Sequence, residues 1–174
     1  MNNEITVKAI FLSIGLSIVL SAAMAYLGLY AGMTVSASIP AAIVSMGILR
    51  LFRNSNILEN NIVQTAASAG ESLAAGVIFT IPALVIIGHW DSIDPWEVTK
   101  IAMMGGILGI LFTVPLRRAL ILKAKLKFPE GVATAKVLET GHESDPDKSE
   151  NSLKIIGISA LIGGIVKLGT KFGF

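Results

Sequence analysis

No Asp, Glu, Lys or Arg stands between Lys8 and Arg50. A soluble domain cannot hide so long an uncharged, apolar run, whereas a bilayer asks for it. About 20 residues at ~1.5 Å of rise each cross a hydrocarbon core of ~30 Å. The run divides into two apolar segments, 9–29 and 33–49, the second carrying Pro40. The pattern then repeats. Residues 62–88 are interrupted only by Glu71, and 101–116 stop at Arg117-Arg118. A fifth segment, 153–172, has a short uncharged core and reaches spanning length only if Lys167 and Lys171 snorkel. The expected fold is all-α, a polytopic transmembrane helical bundle of four to five spans with a possible re-entrant or broken helix. The first segment also admits a signal-peptide reading, with a small-x-small site at Ala23-Met24-Ala25. Its length and the second span close behind it argue against cleavage.

Composition agrees. Charged residues make up 15% of the chain, against roughly a quarter in soluble domains, and the mean hydropathy is +0.72. The glycines lie inside apolar runs, where small residues let helix backbones approach in lipid. Gly28/Gly32 and Gly105/Gly109 have the spacing of such packing faces. Cysteine is absent, so no thiol nucleophile or thiolate metal site exists.

Charge asymmetry orients the spans. Arg50 and Arg53 mark one loop, and Arg117, Arg118, Lys123, Lys125, Lys127, Lys136, Lys148 and Lys154 mark the stretch 117–154. The loop 89–100 instead carries Asp91, Asp94 and Glu97, with Trp90 and Trp96 as interfacial anchors. The positive-inside rule then places the N-terminus and both basic regions in the cytoplasm, with the protein in the plasma membrane. Residues 117–152 read as a cytoplasmic linker. Its acidic stretch 142–150 lacks the spacing of a calcium loop, so no metal site is expected. No nucleophile–base pair or phosphate-binding motif occurs. An enzyme is not expected, nor is a cofactor or a nucleic-acid partner.

The chemistry concentrates in one helix. Asn61, Gln64, Ser68 and Glu71 are spaced 3, 4 and 3 and share a face of an otherwise apolar segment. A carboxylate at membrane depth costs about 2.5–3.5 kcal/mol on the insertion scale. It is tolerated if it faces water, finds a partner or holds a proton. Glu71 is therefore either a proton-carrying group of a carrier or a structural clamp between helices. A second stretch, FPEGVATAKVL from Phe128, places Pro129 and Glu130 where a helix would start. It reads either as an ordinary cytoplasmic loop with one amphipathic turn or as a broken helix lining a cavity.

Three stretches closely resemble the oligopeptide transporter family, nearest its prokaryotic and yellow stripe-like branch. They are YLGLYAGMTVSASIPAA from Tyr26, ILENNIVQTAASAGESLAAG from Ile57 and FPEGVATAKVL from Phe128, in the family's order. The resemblance covers Thr6 to Leu138. It implies a secondary carrier that uses the proton gradient to import small peptides or metal chelates. It also implies that Gln64, Ser68 and Glu71 face the translocation path, with Glu130 near it on the cytoplasmic side. Family members are several times longer, so the chain is expected to be an N-terminal portion that needs a missing half or further copies of itself. A non-transporting scaffold, accessory subunit or inert fragment is the alternative.

Overall fold

The computed structural model describes residues 5–52 and 56–141, together with 155, 158–159, 161–163, 165–166 and 169. The first helix, α1, spans Val7–Ala31. Thr6 caps its start by accepting the Ala9 amide at 3.2 Å. Its end is set by Gly32, whose left-handed φ of 69° lets its N–H close onto the Gly28 carbonyl. The second helix, α2, is only Ser38–Leu49. The third, α3, runs Ile57–Ile86 and opens with a capping box between Asn56 and Glu59. The fourth, α4, is Pro95–Leu116, started by Asp94 and continued in wider π-type turns over Arg117–Lys123. The fifth, α5, is Pro129–Gly141. Among the described residues there is no strand. Three helical stretches, Val7–Ala31, Ile57–Ile86 and Pro95–Lys123, are long and apolar enough to cross a membrane. The chain is thus an all-α helical membrane bundle.

Several boundaries differ from the sequence reading, each for a physical reason. Residues 33–37, expected inside a span, are extended, and α2 covers only the rest. At ~1.5 Å per residue α2 is about 18 Å long, too short to cross by itself. Pro40 does not kink it. It lies in the first turn, where the missing N–H has no helical acceptor to lose. The α3 helix starts at Ile57, not 62, because the capping box satisfies its first amides. The expected linker 117–152 holds the extension of α4 and all of α5. The Arg117–Lys123 turns follow Pro115, which has no N–H to donate and displaces the ladder. Arg117, Arg118 and Lys123 are exposed, so their charges do not oppose a helix there. The possible fifth span, 153–172, falls mostly outside the described residues.

Helices α1 and α3 run parallel, as contacts at three successive heights show. Thr6 Oγ1 donates to Glu59 Oε1 at 2.5 Å and Lys8 Nζ lies 3.1 Å from Glu59 Oε2. Further along, a Cβ on Gly70 would collide with Ser17 Oγ, and one on Gly28 with Ile78. These two glycines are the close-packing positions. Gly105 and Gly109, expected as a packing pair, meet nothing within 4 Å, and Gly32 serves as a helix end. Helix α2 packs antiparallel on α3, and Ala9, Leu16, Ala41, Leu49, Val63 and Ala67 form the core where α1, α2 and α3 meet. Helix α5 lies parallel to α2, with Leu138 against Ala42 and Met46. Helix α4 buries no residue.

Candidate functional site: two helix starts beside a polar cleft

The relative heights of the helices define the site. Ser38, the first residue of α2, bonds through its hydroxyl to Ser68 Oγ at 3.2 Å. Ser68 lies about 17 Å along α3 from Ile57, so α2 begins well inside the length of its neighbour. Its other end is fixed where Ser45 donates to Asn60 Oδ1 at 3.0 Å, a buried pair. The extended residues 33–37 bring the chain back from the end of α1 to this depth. Helix α5 begins at the same height. Glu130, in its first turn, accepts a hydrogen bond from Ser36 Oγ, and Ser36 Oγ lies 3.2 Å from Ser38 Oγ. The far end of α5 is tied back to α2 by Arg50, which donates to the Gly141 carbonyl at 2.6 Å.

Two short helices thus start together, part-way along a long one, joined by the polar chain Glu130–Ser36–Ser38–Ser68. Each helix start carries the positive end of a dipole, which favours negative groups nearby, and the Ser38 amide is taken by Ser36 Oγ at 3.3 Å. A cleft of about 410 Å³ opens beside them between α3 and α5, lined by Ser38, Asn61, Gln64, Gly131, Thr134 and Glu139 among others. Gln64 Nε2 is held by Asn61 Oδ1 at 3.2 Å and Thr65 Oγ1 at 2.9 Å. A second hollow of about 460 Å³ is lined by Ser38, Lys127, Phe128, Pro129, Glu130 and Gly131.

Of the five residues singled out in the sequence, four therefore stand around one region. Asn61 and Gln64 line the cleft, Ser68 bonds to Ser38, and Glu130 bonds to Ser36. Glu71 stands apart. It is 5% exposed and continues the buried stripe Glu59, Val63, Ala67, which faces α1 rather than the cleft. The shared face proposed for the four α3 residues is thus split. A carboxyl at the edge of an 80° arc falls on the α1 side once the helices pack. Ser36 and Ser38 were not anticipated, although two serines just before Pro40 are a visible helix-start signal. The part-buried Thr6–Lys8–Glu59 cluster was also missed, and the Asn56-x-x-Glu59 capping pattern was its signal. Among the described residues, no group of three or more His, Cys, Asp or Glu is arranged to hold a metal.

Comparison with known proteins identifies the family. The family model described as OPT oligopeptide transporter protein matches residues 4–174. A Haemophilus influenzae protein provisionally named an oligopeptide transporter is 45% identical over 138 residues, covering 79% of this chain and 21% of its own length. The metal-nicotianamine transporter YSL2 of Arabidopsis thaliana is 32% identical over 84 residues, 44% of this chain and 13% of its own. The chain therefore spans about a fifth or less of these relatives. No solved structure matches it. With the match running from residue 4 to the last, the chain belongs to the oligopeptide transporter family.

Proposed function

We propose that this chain forms part of a proton-coupled secondary transporter that imports oligopeptides or metal-chelate conjugates across the plasma membrane. The observation that carries the reading is the meeting of the α2 and α5 starts on the Glu130–Ser36–Ser38–Ser68 chain. Discontinuous helices whose ends meet within the membrane are how secondary carriers build substrate sites, and alternating access proceeds around them. The extended backbone of 33–37 supports the same view, since non-helical backbone is tolerated at depth only against protein or a water-filled cavity. Asn61 and Gln64 offer both donors and acceptors, as peptide amides and chelator carboxylates require. The helix starts suit a substrate carboxylate, and Glu130 suits an ammonium group. The names of the two relatives motivate the two substrate classes.

Glu71 is assigned the proton-coupling role, and the N-terminus is assigned to the cytoplasm from the basic loops around Arg50 and Arg117. The test is uptake of labelled tripeptide and of iron–nicotianamine into liposomes holding the full-length protein, with and without an imposed proton gradient. Replacing Glu71 by Gln should remove the gradient's effect while leaving insertion intact. Gradient-driven uptake at the unsubstituted rate would overturn the coupling role. The burial of Glu71 against α1 favours one second reading, a helix clamp. In that case E71Q loosens the bundle and slows uptake with and without the gradient alike.

A further inference from the structure

Many hydroxyl groups on the helices of this protein bond back to their own helix. Those of Thr65, Ser72, Thr80, Thr99 and Thr113 each donate to the carbonyl four residues earlier, at 2.6–3.0 Å. This is the usual resting place of a helical hydroxyl in an apolar setting. Ser13, Ser17 and Ser21, one turn apart on α1, do not follow it. Among the described residues none of the three makes a hydrogen bond, and the Ser13 hydroxyl is fully buried without a partner. They lie on the side of α1 that meets α3, where Gly70 packs against Ser17 and Ser21. Glu71 follows Gly70 in the chain and extends the stripe of Val63 and Ala67, which packs on Ala9 and Leu16. It too is nine-tenths buried and, among the described residues, makes no hydrogen bond or ion pair. A hollow of about 550 Å³ between α1, α3 and α4 reaches this seam, with Ser17, Ser21, Gly70 and Thr99 on its wall among apolar side chains, and Ser13 and Glu71 do not line it.

Buried polar groups in native proteins are almost always satisfied, by protein or by ordered water. A cavity holds water when it is roomy and offers polar partners, and stays dry when its lining is wholly apolar. Here the hollow offers the hydroxyls of Ser17 and Ser21, and two buried groups without a hydrogen bond among the described residues, Ser13 and Glu71, stand next along the seam. We propose that the α1–α3 seam holds a file of water molecules along Ser13, Ser17 and Ser21 that reaches Glu71. This gives the protein a proton route separate from the α3–α5 cleft. Substrate and proton then use different sides of one helix, and a small tilt of α3 is felt by both. The inference deepens the coupling role of Glu71 and rests on that reading only for its purpose, not for the presence of water.

These 174 residues hold no cysteine, so single thiols are placed among them after any cysteines in the rest of the full-length protein have been changed to serine. Ser17→Cys and Ser21→Cys, near-isosteric changes, are compared in the full-length protein in membrane vesicles with Ile14→Cys and Val19→Cys on the outward face of α1. Ile14 and Val19 are 55% and 62% exposed in the described bundle. Only the thiolate reacts with methanethiosulfonates, so a wet site should label at least about tenfold faster than a lipid-facing one. A positively charged reagent should also outpace a negatively charged one at residue 17, and adding Glu71→Gln should remove that preference. Equal, slow labelling at all four positions means a dry or lipid-filled seam and overturns the inference. A charge preference unchanged by Glu71→Gln overturns it as well, because Glu71 then lies off the water file. Fast labelling together with gradient-driven uptake in the Glu71→Gln protein would leave the water file standing and remove only the coupling role.

Discussion

The buried ion pair at the shared start of α1 and α3 offers the sharpest stability test. Lys8→Met removes an ammonium 3.1 Å from Glu59 Oε2 while keeping most of the side-chain stem. Glu59 is 1% exposed, so the change strands a carboxylate out of reach of solvent. Breaking a buried pair in this way costs about 3–5 kcal/mol. Two features reduce that figure. Lys8 is itself 27% exposed, and Glu59 keeps the Thr6 hydroxyl and the Asn56 amide as donors. An exposed pair would be worth under about 1 kcal/mol, so the expected loss lies between, at roughly 2–3 kcal/mol. The measurement is SDS-driven unfolding in mixed micelles, followed by the fluorescence of Trp90 and Trp96. Glu59→Gln alone should cost about 1 kcal/mol, because the amide oxygen still accepts from Thr6. The double substitution should be no worse than Glu59→Gln alone, giving a coupling energy of about 2–3 kcal/mol. A Lys8→Met loss below about 0.5 kcal/mol, or strict additivity, would refute the claim that a buried charge pair holds these helix ends together.

Other expectations follow from single contacts. Gly70→Val drives two methyl groups toward Ser17 and should cost about 1–3 kcal/mol in the same unfolding assay, whereas Gly109→Val, with open space around it, should cost little. Gly32→Ala puts a Cβ on a residue at φ 69° and should cost about 1 kcal/mol, with early fraying of α1 seen in amide exchange. Gln64→Ala should raise the KM for substrate uptake and leave the response to the proton gradient unchanged, and an unaltered KM would remove Gln64 from the cleft's working surface. Glu130→Gln retains an acceptor for Ser36 and should be milder in uptake than Glu130→Ala, which unties α5 from the start of α2. Equal losses in the two would point to the charge rather than the hydrogen bond.

Much of the bundle was legible because lipid makes a blunt demand. Long uncharged stretches with few breaks had to become helices, and α1, α3 and α4 appear where the sequence places them to within a few residues at most ends. The re-entrant parts were harder. Residues 33–37 carry no charge and are apolar enough to join the helix that follows, so hydropathy alone runs them together as one span. What divides them is local: Gly32 ends α1, and Pro40 suits only the first turn of a new helix. Helix α5 was hidden for the opposite reason. Its composition is mixed, and only Thr134, Leu138 and Gly141 are buried, a narrow stripe that reads as loop or helix until α2 is beside it.

The candidate site divides the same way. Helical periodicity by itself determined that Asn61, Gln64 and Ser68 form a polar strip, and the family resemblance singled out Glu130. Periodicity could not say what faces that strip. The tertiary structure decided that two short helices begin there, that Glu130 reaches Ser36, and that Glu71 is buried instead of lining the cleft. The physical reason is that helix spacing fixes only the angle of a side chain about its own axis. Which neighbour occupies that angle depends on the depth at which other helices start, and for α2 that depth is set by the Ser38–Ser68 and Ser45–Asn60 bonds. Gly28 and Gly70 fix the register of α1 on α3, where the two come close.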